Sequence, residues 1–160
     1  MNCNEKSNII ISIRAFLLNE VSFAIPYLAD RKHSNGFAND NVKESQITIP
    51  EDAGFEILFN EESASIKEEE QVKCGGLIFN NTIEFEQPQD FSDNSDYHTQ
   101  LFNLQRNAHH ILITYFGGQK KIVRTDSFGD GYQFSYKQNG LTTSCCIVIN
   151  NISGTRDIIR

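Results

Sequence analysis

From His110 to Ile149 the chain holds four apolar or alternating runs separated by three dipeptides suited to reversing direction. The runs His110–Phe116, Gln119–Thr125, Tyr132–Lys137 and Leu141–Ile149 are separated by Gly117-Gly118, Asp130-Gly131 and Asn139-Gly140. Such pairs supply the positive φ angles that primed hairpin turns require. The pattern predicts a four-strand antiparallel meander. In its third strand Tyr132, Phe134 and Tyr136 face one way and Gln133, Ser135 and Lys137 the other, so one face is buried. No other part of the chain restricts the fold class so strongly.

The remaining segments extend this to a mainly β chain. Residues 8–18 alternate, with Ile9, Ile11 and Ile13 expected on one face, and Val21, Phe23 and Ile25 resume the alternation up to Pro26, which predicts a hairpin. Residues 29–46 turn polar, carrying Ser34-Asn35-Gly36 and Asn39-Asp40-Asn41, and form an expected long loop. Short strands are expected at 47–49 and 55–59. The acidic run within 60–73 has too little apolar content to bury a helix and is expected as a second long loop or solvated excursion. Asn80-Asn81 suggests a tight turn between strands at 77–79 and 82–86. One helix stands out at about 95–107, where Tyr97, Leu101 and Leu104 recur at helical spacing behind several capping oxygens. The expected fold is therefore mainly β: an antiparallel β-sandwich or open barrel of hairpins with one flanking α-helix.

At 160 residues the chain is one domain's worth, and a folded chain of this size hides roughly 70% of its unfolded surface, enough for a core without disulfides or metal. No window is long and apolar enough to span a membrane. The opening residues lack a signal peptide's basic start and apolar middle, so synthesis and folding in a reducing cytoplasm are expected. Fourteen basic against 21 acidic side chains give a net charge of −7, which opposes tight binding to a phosphate backbone. Specific nucleic-acid binding is not expected. The densest basic cluster, Lys120, Lys121 and Arg124, reads as a solvated strand edge.

Residues that might carry chemistry resolve into structural roles. Cys145 and Cys146 are neighbours on a strand and should point to opposite faces, while Cys3 and Cys74 complete no metal-ligand spacing. His109 and His110 likewise point apart and read as a strand-entry pair with one ring solvated. Asp90, Asp93 and Asp96 fit capping better than calcium ligation. Asp126–Gly131 reads as a hairpin turn, since GxSxG is absent. Gly75-Gly76 and Gly117-Gly118 lack the lysine and the following helix of a phosphate loop. No catalytic residue, cofactor or metal site is assigned. The candidates that remain are interface anchors: Phe37 with Asn35 and Gly36 in the long loop, and Phe91 and Tyr97 around the helix start.

The order Leu101-Phe102-Asn103-Leu104, His110-Ile111-Leu112-Ile113, Gly117-Gly118 and Gly129-Asp130-Gly131-Tyr132-Gln133-Phe134 resembles small tail and neck virion proteins of tailed bacteriophages. The resemblance covers about the last 90 residues and rests on element order. It implies a non-enzymatic structural subunit, a tail or tail-adaptor component made in the bacterial host cytoplasm and located in the virion. It further implies assembly with copies of itself and other virion proteins into a ring or tube through hairpins and long loops. The alternative is a small-ligand or carbohydrate-binding β-sandwich, with Phe37 and Tyr132 as its contact aromatics.

Overall fold

The computed structural model of the chain describes residues 8–24, 32, 41–73, 76–88, 96–126 and 129–160. Among them are twelve strands and one α-helix: β1 (Ile10–Leu17), β2 (Ser22–Phe23), β3 (Val42–Lys43), β4 (Ile47–Thr48), β5 (Phe55–Glu56), β6 (Ser65–Lys73), β7 (Gly76–Pro88), α1 (Asp96–Arg106), β8 (His109–Tyr115), β9 (Lys120–Val123), β10 (Tyr132–Asn139), β11 (Thr142–Asn151) and β12 (Thr155–Ile159). They build a six-stranded sheet in the order β3-β12-β9-β8-β1-β5, a four-stranded sheet in the order β10-β11-β7-β6, and a two-stranded piece, β2-β4. All pairings are antiparallel except β12 with β3.

The two larger sheets meet in one apolar cluster. Ile13, Ala15, Ile111, Ile113 and Val123 come from the six-stranded sheet, and Ile83, Phe85, Phe134, Ile147 and Ile149 from the four-stranded one, with Leu104 of α1 buried among them. This is the β-sandwich-like fold with one helix that the sequence predicts. A second cluster lies on the other face of the six-stranded sheet, where Phe16, Leu112 and Ile122 are covered by Val21, Ala53 and the residues around β2 and β4. A sheet covered on both faces asks for apolar residues at consecutive positions, which β8 supplies with Ile111-Leu112-Ile113. Full burial of each large side chain contributes roughly 1.5–3 kcal/mol.

Several local expectations change. The C-terminal strands do not form one meander: β8-β9 is a hairpin of the six-stranded sheet and β10-β11 a hairpin of the four-stranded one. The expected hairpin turn after β9 is not formed, since β9 and β10 belong to different sheets; the Gly129 N–H donates to the Asp126 carbonyl (2.8 Å). The basic cluster sits on or just after β9, an interior strand between β8 and β12. The first two strands do not pair with each other, because β2 pairs with β4 while β1 lies between β8 and β5. Residues 60–73 are a loop only at their start, since Ser65–Lys73 is strand β6, paired along its length with β7. β7 runs unbroken through Asn80-Asn81. Of the other long loop, 29–46, only residue 32 and residues 41–46 fall within the described residues.

One cross-strand pair ties the acidic run to the asparagine stretch. Position 68 of β6 faces position 81 of β7 on the inner side, and both side chains are satisfied there. Asn81 donates to the Ile149 carbonyl (2.8 Å) and to Asn151 Oδ1 (3.1 Å), and its own Oδ1 accepts from the Thr155 hydroxyl (2.7 Å). Glu68 accepts from the Thr155 N–H (2.6 Å) and from Lys32 Nζ (3.0 Å), and Asn151 donates to the Arg124 carbonyl (2.6 Å). This polar joint links the ends of the two sheets. Gly154 lets it close: its φ is +65°, and a Cβ there would lie 2.6 Å from Lys32 Cδ and 2.8 Å from Glu68 Oε2.

Candidate functional site

An apolar-lined concavity lies where the chain leaves one sheet for the other. β5 pairs with β1 only opposite Arg14 and Ala15. One further bond follows, from the Ile57 N–H to the Ile13 carbonyl (2.7 Å). At Leu58 the chain peels away. Its N–H donates to Gln100 Oε1 (2.6 Å), and its carbonyl accepts from Gln100 Nε2 (3.0 Å), so one carboxamide on α1 takes the place of a neighbouring strand. Two residues later the Asn60 N–H donates to the Glu86 carbonyl of β7 (2.7 Å), which joins the chain to the other sheet.

The gap left between the start of β1 and residues 57–62 is a groove of about 600 Å³. Ile9, Ile10 and Ile11 form one wall, Ile57, Leu58 and Phe59 the other, and Phe116 from the β8-β9 turn closes an end. Glu56, Glu61 and Glu62 form the rim. Ile11 is 50% exposed, Leu58 41% and Phe116 60%. Ile11 faces out because of a register irregularity between Ile10 and Ser12. The bulge breaks the expected alternation, so Ile10 and Ile13 are buried and Ile11 is not. On the rim, Glu62 has φ +63°, the one non-glycine positive φ among the described residues. It sits in the Asn60–Ser63 turn, closed by the Ser63 N–H to Asn60 carbonyl bond (3.1 Å). A side chain in the left-handed region costs roughly 1–2 kcal/mol. Among the described residues the groove lining is apolar side chains flanked by negative charge.

Two other places gather polar groups. His109 and His110 leave β8 on opposite faces, as expected, but both are buried, His109 at 2% and His110 at 3% exposure. The expectation of one solvated ring fails because the six-stranded sheet is covered on both sides. His110 Nδ1 accepts from the Thr125 N–H (2.9 Å), and Phe23 packs edge-on against the ring. Burial, with smaller contributions from Arg124 and His109, outweighs the Leu18 carbonyl and lowers its pKa to about 4. His109 lies between Phe55 and Tyr132, its Nδ1 without a hydrogen-bond partner, and burial lowers its pKa too. The Tyr132 hydroxyl donates to the Leu104 carbonyl (2.8 Å). That ring packs against the interior and is not an open stacking platform.

The second place is a shallow hollow of about 380 Å³ on the four-stranded sheet, where Cys146 meets Glu84, Ser135 and Lys137. Cys145 points inward, and burial pushes its thiol up to about 12; burial and Glu84 raise that of Cys146. Neither is a thiolate nucleophile at neutral pH.

Of the residues singled out from sequence, Phe37, Asn35, Gly36 and Phe91 lie outside the described residues, as do Cys3, Cys74, Asp90 and Asp93. Tyr97 is half-buried in the first turn of α1 and does not line the groove. Among the described residues no three His, Cys, Asp or Glu side chains gather to hold a metal ion, and no helix is long and apolar enough to cross a membrane. No family model, curated protein or solved structure matches this chain.

Proposed function

We propose that this chain is a non-enzymatic assembly subunit that associates with copies of itself. The observation that carries this reading is the convergence of Ile11, Leu58 and Phe116 on one groove with a charged rim. Single exposed apolar side chains are ordinary on any surface, but several gathered in a concavity with polar edges mark a contact site. The more specific form of the proposal is a tail or tail-adaptor component of a tailed-bacteriophage virion. Its support is the element order of the C-terminal 90 or so residues. The excess of acidic residues is compatible with a conduit wall that does not hold nucleic acid.

Sedimentation velocity at micromolar concentration tests the assembly role: defined multimers are expected, and a monomer at every concentration overturns it. Mass spectrometry of purified virions from the source of the sequence tests the location, with the absence of this chain as the overturning result.

A further inference from the structure

We infer that the acidic groove docks the opposite edge of the same six-stranded sheet in a second copy of the chain. This rests on the assembly reading above and names its contact. The strand order puts the groove at the β1-β5 end of the sheet and β12-β3 at the other. A second hollow, of about 320 Å³, runs from the end of β12 to the β8-β9 turn, bounded by Glu44, Leu112, Gly118, Lys120, Ile159 and Arg160. Ile159 is 43% exposed, and Lys120, Arg160 and Lys43 of β3 are exposed beside it.

The charges of the two edges are opposite. The groove carries Glu56, Glu61 and Glu62 and no cation among its lining residues. Around the second hollow Lys43 of β3, Lys120 at the start of the interior strand β9 and Arg160 stand against Glu44, while Lys121 is taken up by Asp157 at 3.9 Å. The groove rim is acidic, and the surround of the second hollow is basic on balance, three cations to one carboxylate among its described residues, an arrangement that steers and orients partners. Groove-to-groove pairing is disfavoured, because it would oppose three carboxylates from each copy across a low-dielectric contact. A contact between two different patches is heterologous. Every added copy leaves one groove and one basic edge unused, so growth continues until a ring closes or a filament forms.

The test uses two charge-reversal variants of exposed residues, Glu61→Lys with Glu62→Lys, and Lys120→Glu with Arg160→Glu. Each is followed by sedimentation velocity at low and moderate salt, with near-UV circular dichroism confirming the fold. Wild-type association is expected to weaken with salt, and each variant alone to weaken it by about tenfold or more. Mixing the two variants restores it, since each groove then meets an edge of opposite sign. Phe116→Ser in the β8-β9 turn gives the same loss with no change of charge. Multimers that persist in all three variants overturn the groove contact and leave the assembly reading standing. Variants that dissociate but are not rescued by mixing show that the two edges do not face each other, which overturns the pairing. A wild-type chain that stays monomeric removes the assembly reading and this contact together.

Discussion

Two buried polar clusters in this molecule survive burial in opposite ways. The joint around Asn81, Asn151 and Thr155 keeps its polar atoms by partnering them: carboxamide meets hydroxyl, carbonyl and backbone N–H at 2.6–3.1 Å. The histidine pair survives by staying neutral, with one ring nitrogen, His109 Nδ1, left unpartnered. A neutral imidazole in an apolar setting costs far less than an ionised one. The joint is therefore sensitive to what its side chains can reach, and the histidine pair to proton concentration.

The largest expected effect breaks the joint. Asn81→Leu keeps the branched shape but adds bulk and removes the side-chain partner of the Thr155 hydroxyl, a donor to the Ile149 carbonyl and one donor to Asn151, and should cost roughly 3 kcal/mol or more. Urea denaturation measures it; a loss below 1 kcal/mol, on the order of one ordinary hydrogen bond, would mean that the network is not cooperative.

Acid should act on the other cluster. Because burial holds the folded-state pKa of His110 at about 4, below the 6.5 of a free imidazole, the unfolded chain takes up the proton first. Stability is then complete above the unfolded value and declines as pH falls towards the folded one, by about 3 kcal/mol in all. His109 adds to the slope with the same sign. His110→Asn should flatten the pH dependence of the unfolding free energy between these limits; an unchanged slope would assign acid sensitivity to other groups.

Smaller changes sharpen the contrast. Gly154→Ala asks a Cβ to fit against Lys32 and Glu68 at a φ of +65°, and should lower stability by roughly 1–2 kcal/mol with no effect on the acid limb. Away from both clusters, Glu62→Gly relieves the left-handed strain on the groove rim and should raise the thermal midpoint modestly, by roughly 1 kcal/mol of stability. A fall in the midpoint would show that the Glu62 side chain stabilises the turn by more than its backbone costs.

How much of this was legible in the residues depends on the range of the interactions. The helix expected at about 95–107 is found at Asp96–Arg106, because capping and apolar spacing are local. Each C-terminal turn dipeptide lies between strands, yet turn chemistry does not say which sheet a hairpin joins. That depends on Phe134 and Ile147 meeting Ile111 and Ile113 across the sandwich. The acidic strand β6 and the Asn80-Asn81 stretch were misread because their partners, Lys32, Asn151 and Thr155, are far away in sequence. The groove was missed because a one-residue bulge turns Ile11 outward, and because Leu58 and Phe116 reach it from distant segments. An available signal was Phe116, the aromatic that ends the run His110–Phe116 directly before a glycine pair.

Gln100 has a consequence for how docking would be felt. Its carboxamide holds both backbone groups of Leu58, whose side chain forms part of the groove wall, and it also donates to Gln87 at 2.8 Å. Filling the groove would press on a wall bonded to this amide, so hydrogen exchange of the α1 amide protons is expected to change when the groove is occupied.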